Sequence, residues 1–500
     1  MIRLLSLRRG LLDDFVASAA VALLGVGCSG SSSAPQQTAP QSAGSSAIPA
    51  LPNPSQVSAV PPRPGTASAG TPTSLPGAES AIPAWAGKRP DEPFKVKEYL
   101  ESRSAPADNA APLYFAALAD LSPEMDIVYS PADWQARLPQ IKALSDSIGN
   151  LADEDKLLAD SVSLQEVERV LTAARPAFQK IDQAQQKTNC VFVTGLHFDS
   201  LLPHAQSARQ IARLAQLQLY FSGKKGDFDE SEKAIRRTLR LSRDLRPRGV
   251  LISQLVSVAI DAVVLSSIQN FTLRQPGLKP QQCDRLLALL AEHEKAAIDP
   301  NSEGLRMEYV MQRNTLDDLQ TGRVSLDKIT EDANAARLLR AGSVNWEGEL
   351  TSCSRVYADA LVVAARPYHE VLRLDSVKKN LDLLKTQNVV VVRLLMPALD
   401  QFHEAVARDR ARLACMQGLI AVRRNVLAHG TPPADLEIAV REAGLASVPT
   451  DPYSGQPIRF KVLNGKPIVY SVGRDQKDDG GAIDWNFGKQ PGDFIFQVPD

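Results

Sequence analysis

Apolar residues return at every third or fourth position from about Lys95 to Leu445, and hardly any of this region alternates as a strand would. Leu113-Tyr-Phe-Ala-Ala-Leu-Ala-Asp-Leu121 and Ile211-Ala-Arg-Leu-Ala-Gln-Leu-Gln-Leu-Tyr220 show the spacing plainly. It gathers apolar side chains on one face of a helix, and that face must be buried against another element. Ser130-Pro131 and Ser163 read as helix starts, Gly226-Asp227 and Gly277 as breaks, and Asp299-Pro300 as a further start. The spacing predicts a mainly α body of antiparallel helical hairpins joined by short loops. Only 5% of residues are aromatic against 44% hydrophobic overall, so the core should be built from Leu, Ala and Val. With 56 basic and 57 acidic residues the charge is nearly balanced, and no nucleic-acid partner is expected, because that needs a basic face.

The N-terminus reads as targeting sequence. Arg3, Arg8 and Arg9 precede an apolar run from Phe15 to Gly27, and Cys28 is followed by Ser29-Gly30-Ser31. A basic start, a short apolar run and small residues before a cut site describe an export signal over residues 1–28. Leu24-Gly25-Val26-Gly27-Cys28 resembles a bacterial lipobox, which implies lipidation of Cys28 and a place in the cell envelope, at the periplasmic or outer membrane face. Ser6-Leu7-Arg8-Arg9-Gly10 is similar to a twin-arginine signal, and a plain secretory signal with an incidental cysteine is the simpler alternative. Residues 29–90, rich in Ser, Ala, Pro, Gly and Thr, have too little apolar surface to offset the entropy of ordering and are expected to form a disordered tether.

The helical body is expected over residues 91–388 and a C-terminal module over 389–500. His204–Phe221 and Glu230–Leu245, joined across Gly226-Asp227-Phe228, resemble a single tetratricopeptide-type repeat, so the body is either a bundle or a stack of such hairpins. Val250–Ile268 is almost continuously apolar, but Gln254 and Asp261 interrupt it. An acid near mid-span costs roughly 3 kcal/mol in a bilayer, so a buried core helix is the expectation. A last long helix is expected from Val389 to Leu427, kinked at Pro397, followed by a short one over Ala434–Glu442. Cys190, Cys283, Cys353 and Cys415 permit two disulfides, or four buried thiols.

After Thr450 the pattern changes. Asp451-Pro452-Tyr453-Ser454-Gly455 is a turn, Pro457–Lys461 and Pro467–Val472 are strands around Asn464-Gly465, and Phe494–Val498 is a third strand. With the helix before it, this order resembles the C-terminal α+β region of the major pseudopilins of type II secretion systems. The resemblance covers about Ala411 to Pro499 and implies a small antiparallel cap closing over the long helix. It further implies a calcium site at Ser471, Asp475, Asp478, Asp479 and Asp493. Crowded carboxylates on a glycine-bearing loop suit a cation that takes six to eight oxygens, roughly. The other reading is a solvated acidic turn, with Arg474 and Lys477 neutralising the acids. At its other end the chain lacks the pseudopilin leader and polymerising helix.

Catalytic patterns are sparse. His369-Glu370 and His403-Glu404 do not extend to HExxH, and no phosphate-binding glycine loop or GxSxG elbow is present. His197, Asp199 and His204 lie close in sequence, and Glu292-His293-Glu294 reads as a solvated helix face. The expected function is a non-catalytic envelope lipoprotein acting as a scaffold or interaction protein, accessory to secretion, with a protein partner and a membrane anchor. The alternatives are an envelope hydrolase whose site gathers His197, His204 or His369, and a structural surface-layer protein.

Overall fold

The computed structural model describes residues 82–497 except 104–107, 128, 130, 193–195, 198–199, 201, 326–343, 375–388, 390, 393–398 and 483–491. The expected export signal with Cys28, and the expected tether up to residue 81, lie outside the described residues. The described residues belong to one compact unit, mainly helical, with a small three-stranded sheet near the C-terminus.

The tether as read from composition runs too far. Trp85 is buried, donates its indole N–H to Asn314 Oδ1 at 2.7 Å and meets the Tyr309 ring edge-on at 6.0 Å. One buried indole outweighs the low-complexity residues around it, so the folded part includes residues 82–90.

Six helices open the body: α1 (Val96–Ser102), α2 (Ala111–Ala119), α3 (Trp134–Leu151), α4 (Glu154–Leu158), α5 (Leu164–Ala173) and α6 (Arg175–Ala184). The hairpin α7 (Pro203–Lys225) and α8 (Phe228–Leu245) follows. Its turn is shorter than the spacing suggested. Gly226 closes α7 in the left-handed region at φ 69°, and Asp227 caps α8 by accepting from the Glu230 amide at 3.2 Å.

α9 (Leu251–Ser267) continues into a π-helical turn, Ile268–Thr272. The segment Leu251–Thr272 is apolar and long enough to cross a membrane, with a mean hydropathy of 2.0. It is instead a core helix, with 78% of its most apolar 18 residues buried against its neighbours. α10 (Pro280–Ala296), α11 (Pro300–Gln320), α12 (Trp346–Ala364) and α13 (Tyr368–Val371) complete the body. Cys190, Cys283, Cys353 and Cys415 are buried free thiols, so the unpaired reading holds.

α14 (Leu399–His429) ties the two regions together. It packs on α9 and α10 along one side and on strand β2 and α15 (Leu436–Glu442) along the other, so its apolar residues are not confined to one stripe. Its expected start at Val389 is seen only in part. Val391 and Val392 are helical, their amides held by the two oxygens of buried Glu349, while Pro397 lies outside the described residues. Gly418 on α14 is required by close approach, because a Cβ there would meet Ile458 Cδ1 at 2.7 Å and Val469 Cγ1 at 3.1 Å.

The sheet is antiparallel throughout, in the order β1 (Arg459–Leu463), β2 (Lys466–Ser471), β3 (Phe494–Gln497). Asn464 and Gly465 turn the first hairpin with φ of 52° and 78°, the two left-handed residues that a tight two-residue loop needs. β1 begins two residues later than the expected Pro457, which forms only an isolated bridge with Thr450.

Candidate functional site

The acidic loop at the cap is organised by a residue outside the expected set. Asp451 is buried, and its Oδ1 accepts from the Tyr453 amide at 2.9 Å and Ser471 Oγ at 2.8 Å. Its Oδ2 accepts from the Val472 amide at 3.0 Å and Ser454 Oγ at 3.2 Å. The carboxylate thus fastens the turn before β1 to the end of β2.

This arrangement divides the expected calcium ligands. Ser471 is committed to Asp451, and Asp475 accepts from the Lys477 amide in its own turn at 3.2 Å. Asp478 accepts from the Tyr470 hydroxyl at 3.0 Å and the Gly480 amide at 2.9 Å. Buried Asp493 accepts from the Gly481 amide at 2.7 Å and the Asp479 amide at 3.4 Å, so the loop curls around it. Burial, opposed by those two amides and aided by the charges of Asp478 and Asp479, pushes the Asp493 carboxyl up to about 6. Asp478, Asp479 and Asp493 therefore share one electrostatic neighbourhood, which Ser471 and Asp475 do not join. Among the described residues no three His, Cys, Asp or Glu side chains are arranged to hold a metal ion. Arg474 turns away from the loop to buried Glu404, at 2.9 Å.

The histidines occupy separate settings. His197 Nδ1 lies 2.8 Å from Asp318 Oδ2, and Arg323 holds the same carboxylate. His204 is buried in the core, stacked on Phe192 at 4.7 Å, and burial pushes its imidazole down to about 4. His369 sits against Gly455 of the cap turn. Asp199 lies outside the described residues. His403 is buried, and burial lowers it to about 4 as well.

The Glu292-His293-Glu294 reading needs correction at its centre. Glu292 and Glu294 are exposed, but His293 turns inward and is buried. Its Nε2 lies 3.4 Å from Asp261 Oδ2, which also accepts from Arg246 Nη2 at 2.7 Å. The opposite Asp261 oxygen, Oδ1, has no hydrogen-bond partner, and neither has Oδ1 of Asp409 on α14. Burial and the Asp261 charge push the Asp409 carboxyl up to about 7, against the pull of Arg246, Arg412 and His293. Burial acts to raise Asp261 too, but His293 and Arg246 outweigh it and hold that carboxyl below the usual range. Four segments thus bring a charged centre into the core beside the interruption of α9 that the sequence displayed. Lone histidines on apolar helices gave no signal for it.

No protein family, curated protein or solved structure matches the chain.

Proposed function

We propose that the protein is a non-catalytic scaffold or interaction protein of the cell envelope, held to the membrane by lipid on Cys28 and accessory to a type II secretion system. The observation that carries this reading is the double burial of α14, with helices of the body on one side and the sheet on the other. A cap built this way is a fixed part of a broad helical platform, and its pseudopilin-like strand order suits contact with secretion partners. The separate settings of His197, His204 and His369 give a hydrolase no gathered site among the described residues.

Calcium is assigned a structural part in the same proposal. Asp478, Asp479 and Asp493, not arranged around a metal as they stand, are the residues that would be drawn in to hold it, since a cation relieves the repulsion that the first two impose on Asp493. The cation would order the loop after β2. The test is a calcium titration of the chain from residue 82 by calorimetry and thermal melting. Saturating calcium should raise the melting temperature by roughly 3 °C. Asp478→Asn with Asp479→Asn should abolish both the heat and the shift. Absence of binding heat in the unaltered chain would remove calcium from the account and leave the acidic loop as a solvated turn.

A further inference from the structure

A groove of about 540 Å³ opens where α4, the C-terminal end of α7 and the π-helical turn meet. Gly223 makes the junction possible, because a Cβ there would lie 2.9 Å from the Phe271 carbonyl oxygen. The backbones of α7 and the π-turn therefore touch, and the wider π-turn presents Asn270 and Phe271 to the opening. π-Turns inside helices recur at functional sites because they re-aim side chains at a local cost. Tyr220 and Phe271 meet edge-on at 5.5 Å, and Leu157, Leu158 and Pro276 extend the apolar wall.

The charges around this wall do not cancel. Lys224 pairs with Asp160 at 2.8 Å, and the Tyr220 hydroxyl donates to the same carboxylate at 2.6 Å. Arg423 spends only Nε, on the Leu273 carbonyl at 3.1 Å, and has no carboxylate partner among the described residues. Arg274, exposed at the rim, makes no ion pair or hydrogen bond among them and feels Asp160 only at longer range, while that carboxylate is already held by Lys224 and Tyr220. Glu154 is engaged behind the wall by Ser266 and Asn270. One acid thus faces three cations, and two guanidiniums remain directed to a concavity with aromatic sides.

We propose that this groove binds an amphiphilic oxyanion, a phosphate head held by Arg274 and Arg423 with an apolar body laid against Tyr220, Phe271 and Leu157. Guanidinium groups match phosphate oxygens with paired N–H donors, and the volume falls within the ordinary span of small-molecule sites. The inference goes beyond the scaffold reading and does not depend on it. Two sources share this chemistry: the phosphodiester of a membrane lipid and a soluble alkyl phosphate.

The test uses the full-length chain carrying Cys28→Ala, which stays free of lipid. Octyl phosphate, monomeric dihexanoyl phosphatidylglycerol, inorganic phosphate and octanol are titrated by calorimetry. At least one of the two amphiphilic phosphates should bind saturably, with inorganic phosphate and octanol each weaker by at least an order of magnitude. Arg274→Gln should weaken binding about tenfold, the weight of one charge-assisted hydrogen bond. Arg274 is exposed and acts on the fold only through its charge near Asp160, so this variant disturbs the structure less than Arg423→Gln, which loses the bond to the Leu273 carbonyl. Preference for the phosphatidylglycerol supports the proposal with a lipid as source, and preference for octyl phosphate supports it with a soluble source. No saturable binding of either, or equal affinity in the Arg274→Gln variant, overturns it.

Discussion

Asp451→Ala should lower stability by about 4 kcal/mol and loosen the C-terminal sheet from α14. The buried carboxylate receives the Tyr453 and Val472 amides and the Ser454 and Ser471 hydroxyls. An alanine leaves those donors without their acceptor, at about 1–3 kcal/mol for each one that stays buried and unmet. Relaxation of the turn and entry of water reduce the sum, which places the loss near the upper end of what single substitutions do. Urea unfolding measures the change, and hydrogen exchange locates it. The amides of β2 should lose protection while those of α8 keep theirs. Asp475→Ala, which removes only a local turn contact, should stay within about 0.5 kcal/mol of the parent. Equal stability of Asp451→Ala and the parent would show that the turn is held by its apolar neighbours, chiefly Tyr453 and Val472.

Asp261→Ala should cost about 3–5 kcal/mol, the weight of breaking a buried ion pair from one side. Arg246 is 5% exposed and Asp261 2% exposed, so the guanidinium would be left in the core without its ion-pair partner. The same centre sets a pH dependence. The raised Asp409 carboxyl binds its proton more tightly in the folded state than in the unfolded one. Its contribution is therefore fully present at low pH and lost as pH rises from the ordinary carboxylate value towards 7. Removal of the Asp261 charge lowers Asp409 again, so that loss should be shallower in Asp261→Ala than in the parent. Unfolding free energies between pH 5 and 8 test both points. A variant with unchanged stability and an unchanged pH slope would contradict the buried charged centre.

The sequence made the helical body readable because its periodicity is local. Positions such as Ile211, Leu214 and Ala215 report their own face without reference to distant residues. The hairpin turn at Asn464-Gly465 was readable for a similar reason, since left-handed backbone leaves a compositional trace. Trp85 was lost because low-complexity residues surround it, and its partner Asn314 lies 229 residues away. Asp451 was read as turn chemistry, which it is, but its bonds to Ser471 and Val472 come from pairing across the sheet. The charged centre was hidden for the same cause, since Arg246, Asp261, His293 and Asp409 meet only through helix packing. Of the acids expected to share a cation, the loop's curl around Asp493 separates those that adjacency in sequence had grouped. The groove at Tyr220 and Phe271 had no local signature at all.

Cross-linking in intact envelope membranes puts the anchored, non-catalytic scaffold to the test. Mass spectrometry would read both the Cys28 peptide and the adducts of the folded body. A diacylglyceryl group on Cys28 and one protein partner recovered at fixed stoichiometry are the expected result. An unlipidated chain in the soluble fraction, recovered without any adduct, would contradict it.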